Sequence, residues 1–504
     1  MPLKQNHLTL HILTIIILYL LQGFVQGFTA SIQLYLAFYK ASWQEQGIFS
    51  WTFYPFSLKI LWAPILDSIY HYRFGRYLTW LIPIQITIGI IFIILSFYLE
   101  SLLINRQIVT LTIIFFFIYF LIASQDVVVD GLSVLLFANL NPQWASTCQT
   151  IGQVIGYFLS STVLIIFESS NFTNEYIRKP LSLPERSSGL FSLQEFTFFG
   201  GAQFIIVNII ILVIFFPKKS LNKTTNVNIQ KIIYKKLDLS ETYSSILKLF
   251  RKKCMCEYAV ILLTFDIGFA ATNYMTILSL LEYGITRDTI ALLNIPPVAI
   301  HIVVPLFMSQ IQRHLQWFGY GYIFRLIIAI HIVVPLFMSQ IQRHLQWFAY
   351  GYIFRLISAV VLAIYIYFIP DIVQRSYFYP VLIILFCVNQ AAVYMMVVSR
   401  VGFSARISEP QIAGTYMTLL ATISNLGQSF MSTLVLYIAS WLPASHVYSI
   451  EVAGCVLLGL IWIRLFWRKL KHLDSLPAKE WYLKPSDDVN VTVYYESTET
   501  VKCN

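Results

Sequence analysis

Residues 1–24 read MPLKQNHLTLHILTIIILYLLQGF, and from Leu8 the run stays almost wholly apolar to Phe38. A helix that crosses a hydrocarbon core of about 30 Å needs roughly 20 such residues. The stretch is too long for a signal-peptide core of roughly 7–15 residues, and no small-residue cleavage site follows it. It reads as a first membrane span kept in the mature chain. The rest of the sequence agrees. Of 504 residues, 58% are apolar and 12% are charged, against roughly 45–50% and 25% in soluble domains. So few charges cannot cover a soluble fold of this size. A cytosolic enzyme, a disordered scaffold and a disulfide-stapled secreted domain are excluded.

The six cysteines are scattered, with Cys254 and Cys256 the only close pair, so neither metal-ligand spacing nor a disulfide framework is present. No nucleophile constellation or phosphate loop occurs, and the reading assigns no enzymatic chemistry, cofactor or metal. The net charge of +10 is concentrated in one loop between apolar segments, which topology explains better than a nucleic-acid partner does.

Apolar runs of spanning length fall near 8–38, 46–67, 77–98, 107–129, 144–168 and 196–216, and again near 257–281, 289–310, 354–370, 378–400, 413–438 and 448–467. Between the sets lies Lys218 to Lys253, with ten Lys/Arg against Asp238 and Glu241. The positive-inside rule puts this linker in the cytosol. Six spans precede it, so the N-terminus is cytosolic too. Arg464, Arg468, Lys469 and Lys471 put the C-terminus on the same side. The expected fold is all-α: a polytopic membrane protein of two six-helix bundles, 1–217 and 254–470, joined by the basic linker 218–253 and followed by a cytosolic tail, 471–504. The lipid bilayer is its solvent. The sequon Asn171-Phe172-Thr173 lands on the face opposite the linker, which makes Asn171 a candidate for glycosylation.

A tandem copy disturbs the count. Residues 299–328 and 329–358 match at 28 of 30 positions, differing at Gly319/Ala349 and Ile328/Ser358. Two near-identical copies are not a solenoid. The extra Leu326 to Met338 stretch is too short to span, so it is expected to leave the parity unchanged, as one interfacial or re-entrant element or an extended helix pair. Only one of Arg325 and Arg355 can hold the original position. Arg355 leads directly into LISAVVLAIYIYF and is preferred.

Two six-helix halves joined by a long cytosolic linker is the layout of major facilitator secondary transporters. The segment APILDSIYHYRFGRYLTW after span two, with Asp67 and then Gly75-Arg76, resembles the loop those proteins use to tie helices together when closed to the cytosol. In SQDVVVDG at the end of span four, Asp126 and Asp130 share a helix face and repel each other unless a cation approaches. Asp67, Arg73, Arg76, Asp126 and Asp130 are therefore grouped as a cytosolic gate, with a permanent salt-bridge network as the alternative.

FSLKILWAPILDSIY, FGR, SQDVVVDG, WASTCQTIGQVIGYFLSSTVLIIFES and GTYMTLLATISNLGQS together resemble the acetyl-coenzyme A transporter family, from roughly Gln22 to Arg468. The resemblance implies an endoplasmic-reticulum protein. It would carry acetyl-CoA from cytosol to lumen in exchange for CoA and supply lumenal acetylation. SQD-D alone is shared with bacterial muropeptide permeases, so a proton-coupled importer of another solute is the runner-up, followed by a non-transporting duplicate.

A polyanion with an adenine needs cations and aromatic faces along its path, and intramembrane charges default to function. Lys59 lies eight residues, or about 12 Å of helix, before Asp67, too far to pair with it. It is taken as a phosphate contact, or else as the partner of another acid. Pro55 and Pro64 flank it and should bend the span. Trp62 is an adenine candidate, with packing the commoner fate of such rings. Asp266 and Asn273, seven apart, share a face of span seven, where Asp266 could pair with Lys59 across the halves. Arg355, Asn389, Gln390, Tyr394, Asn425 and Gln428 supply further cavity candidates. In span five, Gln149 and Gln153 are candidate lining, and Gly152 and Gly156 are read as packing.

Overall fold

The computed structural model describes residues 2–71, 75–137, 143–215, 243–244, 247–293, 295–296, 344–408, 413–443 and 446–482. Arg73, Arg325 and the first repeat copy lie outside these residues, as do the side chains of Asp67, Arg76 and Tyr394. The path expected for the duplicated element therefore falls outside the description.

The described chain is helical. The first half runs α1 (Pro2–Phe38), α2 (Trp43–Phe49), α3 (Tyr54–Leu58), α4 (Ala63–Ser68), α5 (Gly75–Ile104), α6 (Ile108–Phe137), α7 (Gln143–Phe158), α8 (Leu164–Glu168) and α9 (Leu193–Phe215). The second half runs α10 (Lys253–Thr264), α11 (Ala270–Tyr274), α12 (Thr276–Glu282), α13 (Arg287–Leu293), α14 (His344–Tyr367), α15 (Phe378–Ile407), α16 (Ala413–Ala439) and α17 (Val447–Ser475). Nine helices among the described residues are long and apolar enough to cross a bilayer. Spans two and seven are not among them because each is broken into short pieces. The eighth begins as α13 and leaves the described residues.

The break in span two follows its prolines. Pro55 and Pro64 sit in the first turns of α3 and α4, where the missing N–H costs nothing, and 3₁₀ turns Ser50–Phe53 and Lys59–Leu61 interrupt the ladder between the pieces. Span seven breaks without proline, at a 3₁₀ turn over Phe265–Gly268 that carries Asp266. Span five breaks too: Leu159–Val163 forms a π-helical turn between α7 and α8. Irregular backbone inside a membrane persists only where it is buried in protein or lines a cavity.

In lipid, helices gain little from apolar burial against one another, so close packing and polar contacts must hold them. The pairing of α1 with α7 depends on this. A Cβ at Gly156 would stand 2.0 Å from the Leu20 carbonyl oxygen, and one at Gly152 would stand 2.6 Å from that of Ile16. The glycines of span five therefore do the packing expected of them. The larger apolar clusters each stay essentially within one half, one around Phe28, Phe92 and Phe115 and another around Tyr258, Tyr352 and Trp462. A small cluster of Leu34, Ile165, Ile166 and Ala291 takes residues from both.

Across the halves, broken span two packs on α16. Ser50 and Thr433 share a hydrogen bond of 2.7 Å, and Ser57 and Ser429 share one of 2.8 Å. At the face carrying the linker, the chain after α17 turns back and buries Trp481 completely against Tyr258 and Phe403.

Candidate functional site

The site begins where span seven unwinds. The 3₁₀ turn brings Asp266 into the interior, where it is 1% exposed. The Asn273 amide on α11 donates to its Oδ1 at 3.0 Å. On the other side, the Arg355 guanidinium of α14 donates to the Asn273 carbonyl oxygen. Asn273 thus stands between an acid and a base that do not touch directly. Arg355 lies 4.3 Å from the centre of the Phe269 ring, and its Nε has no hydrogen-bond partner among the described residues although Arg355 is only 6% exposed. A second guanidinium, Arg400 of α15, donates to the Ser424 hydroxyl and stands 5.3 Å from the Phe265 ring. Both arginines line a cavity of about 310 Å³ with Asp266, Asn273, Asn389, Gln390 and Gln428. Ser358, one of the two positions at which the repeat copies differ, donates to Asn389 at 3.3 Å.

This cavity adjoins a second. Gln390 and Ile277 line both, and the second, of about 470 Å³, is otherwise walled by α1, by span five and by α13. Its polar lining includes Gln26, Gln153, Tyr157, Ser161 and Thr162, with no charged side chain among the described residues. Ser161 and Thr162 belong to the π turn of span five, so irregular backbone lines a cavity in each half. Two lobes therefore meet between the bundles, one cationic and one neutral. Together they fall within the roughly 300–1,000 Å³ that holds a small organic ligand.

Lys59 is engaged elsewhere. Its ammonium forms a buried ion pair with Asp126, whose other oxygen accepts from the Gln22 amide at 2.6 Å. The alternative of an otherwise unseen acid is thus the one realised. A pairing of Lys59 with Asp266 across the halves is not, because Asp126 on α6 takes the charge within the first bundle. Of the residues grouped as a cytosolic gate, Asp126 is paired within the first bundle, while Arg73 and the side chains of Asp67 and Arg76 lie outside the described residues. Asp130 accepts from the Tyr19 hydroxyl at 2.5 Å and from Gln149 at 3.3 Å, so Gln149 also serves this internal network. The Trp62 indole donates to Ser124 at 3.0 Å and packs against Phe120, away from either lobe. Asn425 is not part of either lining, while Gln428 is.

At the face opposite the linker, Arg287 of α13 stands 3.5 Å from Glu168 of α8 and lies over the Tyr35 and Phe38 rings at 4.6 and 4.0 Å. This contact joins the halves. Asn171 is exposed on the same face, beside a cavity lined by Phe38, Trp43, Glu168 and Arg287.

Sequence reasoning missed Arg400, Gln26, Tyr157, Ser161 and Thr162. The apolar run of span ten was ended at 400, which put Arg400 at the helix end. The helix continues to Ile407, which places Arg400 about 10 Å inside its end. The continued run VVSRVGFSARI was the signal. Ser161 and Thr162 carried none, since only the π turn aims them at the cavity.

Broken helices meeting at a polar cavity between two bundles define a membrane transporter of the major facilitator fold. Solved structures share that architecture. The nucleoside transporter NupG matches with a TM-score of 0.54 at 14% identity, covering 90% of this chain and 99% of that one. A bacterial homologue of the human lysosomal transporter Spinster matches with a TM-score of 0.55 at 12% identity, covering 94% and 98%. Within that class the sequence is specific: the family model described as Acetyl-coenzyme A transporter 1 matches residues 11–452, and this chain belongs to that family. Two fungal relatives, both uncharacterised, align with it. One from Schizosaccharomyces pombe is 28% identical, covering 86% of this chain and 75% of its own, and a membrane protein from Saccharomyces cerevisiae is 27% identical, covering 93% and 96%.

Proposed function

We propose that this chain exchanges cytosolic acetyl-CoA for CoA across the endoplasmic-reticulum membrane and so supplies lumenal acetylation. Family membership supplies the cargo class. The observation that carries the reading is the pair of guanidinium groups, Arg355 and Arg400, lining an interior cavity with no carboxylate of the described residues at ion-pair distance from either. A cation is expensive to hold in a membrane interior and is retained there when it meets an anion that comes and goes. Guanidinium forks suit phosphate oxygens better than an ammonium does.

In this reading the linker face is cytosolic, as the basic segment 218–253 favours, and both termini lie there. Asp67, Arg73 and Arg76 act as a latch on that face. Asp126 and Asp130 hold the first bundle together from inside. The Asp266–Asn273–Arg355 chain keeps the empty cavity from carrying its full positive charge, and incoming phosphates compete for Arg355.

The test is uptake of radiolabelled acetyl-CoA into liposomes that hold the purified chain and are preloaded with CoA. Saturable uptake that depends on internal CoA is expected. No uptake above protein-free liposomes overturns the reading. Asp266, buried against the cavity, favours one alternative, a proton-coupled carrier. Uptake driven by a pH gradient without internal CoA, and lost in Asp266→Asn, would replace exchange with that mechanism.

A further inference from the structure

The two lobes differ in chemistry in a way that the transport reading does not use. The cationic lobe is built by the second bundle, from Arg355 and Arg400 with Asn273 and Asn389. The neutral lobe takes its polar groups chiefly from the first bundle: the Gln26 and Gln153 amides and the Tyr157 and Ser161 hydroxyls. Neither the Gln26 nor the Gln153 side chain makes a hydrogen bond to another described residue, and both are partly accessible. An amide side chain both donates and accepts, so a row of them matches a ligand segment made of amides. It offers nothing that compensates a phosphate moved out of water. The arginines do the reverse: a planar fork that wants oxyanions, with Arg355 Nε unpartnered among the described residues.

A CoA ester has the same division along its length. Its nucleotide end carries every negative charge. Its other end is a neutral arm with two amides and a terminal thioester. From this match, and resting on the transport reading above, we infer that the ligand is held in one polarity, with the phosphates on Arg355 and Arg400 of the second bundle and the amide arm along Gln26, Gln153 and Ser161 of the first. The reverse placement would strand phosphates among uncharged groups and leave two guanidiniums facing amides. The consequence is a split of labour between the halves. The second bundle recognises the part common to every CoA species, and the first senses the arm and what is attached to it. The π turn is then a specificity element, because it brings Ser161 and Thr162 to the cavity.

The polarity is tested by displacement of radiolabelled acetyl-CoA from the purified full-length chain, using unlabelled acetyl-CoA and adenosine 3′,5′-bisphosphate as competitors. Gln153→Leu should weaken acetyl-CoA by about 2–10-fold, the value of one neutral hydrogen bond, and leave the bisphosphate within twofold of native. Arg400→Gln should weaken both by about 10-fold or more, the value of a charged one. Gln26→Leu repeats the first arm of the test in case Gln153→Leu does not fold. Equal weakening of both competitors by the glutamine variants, or no weakening of acetyl-CoA by either, overturns the polarity while leaving transport standing. A native chain that binds no acetyl-CoA overturns the transport reading beneath it.

Discussion

Lys59 and Arg355 begin from similar circumstances. Each is a basic side chain buried inside a span, Lys59 on an interrupted helix and Arg355 beside one, and each is close to an aspartate. Lys59 meets Asp126 directly, and Gln22 completes the carboxylate's coordination. Among the described residues, Arg355 makes its one side-chain hydrogen bond to the amide of Asn273, which holds Asp266 on its far side, and its Nε is left over. Lys59 is therefore spent on internal cohesion, whereas Arg355 keeps capacity for something that enters the cavity. What a buried charge does is decided by how completely its neighbours satisfy it, and residue type and depth are poor guides.

The largest effect is expected at Asp126. Asp126→Ala leaves Lys59 buried and unpaired, and loss of a buried partner costs about 3–5 kcal/mol. Denaturation in mixed micelles should register that loss. The double variant Lys59→Met/Asp126→Leu should recover most of it, since apolar groups of similar size often replace a buried pair without penalty. A double variant as unstable as the single would mean that Lys59 has work beyond the pair.

The next largest effect is expected in the cavity. Arg400→Ala removes a charged contact worth about 1.5–3 kcal/mol, so acetyl-CoA exchange should fall by roughly 10–150-fold. Stability should hold or rise, because an unpaired buried cation has been removed. The opposite pattern, intact exchange with lost stability, would make Arg400 a packing residue and erase the distinction between the two halves.

A smaller effect sharpens the contrast with an exposed pair. Glu168 and Arg287 are each 22% exposed, and such pairs contribute about 1 kcal/mol or less. Because they join the halves on the face opposite the linker, Glu168→Gln should favour opening there. A cysteine introduced as Leu34→Cys, at a buried position between the halves, should then label up to about 5-fold faster. An unchanged rate would remove this pair from the opening step.

The helical architecture was legible because membranes impose a simple rule: long apolar runs must be helices. Pro55 and Pro64 announced the break in span two, and Gly152 and Gly156 announced close packing. Span seven and the π turn were not legible, because nothing in FDIGF or LSSTV is forbidden in a helix, and tertiary packing makes the break. By contrast, Asp266, Asn273, Arg355, Asn389, Gln390 and Gln428 stood out as polar groups inside apolar runs, and they line one cavity. Lys59 could not be sorted from them, since its partner lies 67 residues away on another helix. Arg400 was lost to a helix end placed too early.

In the proposed mechanism the arginines, and not the lysine, meet the cargo. Equilibrium binding of radiolabelled acetyl-CoA to the purified chain tests it most directly. Saturable binding is expected for the native protein and for Lys59→Met/Asp126→Leu, within about threefold of each other. Binding weakened by about 100-fold or more is expected in Arg355→Gln/Arg400→Gln. Native-like binding by the double-arginine variant, or loss of binding on replacing the Lys59–Asp126 pair in a chain that still folds, would contradict it.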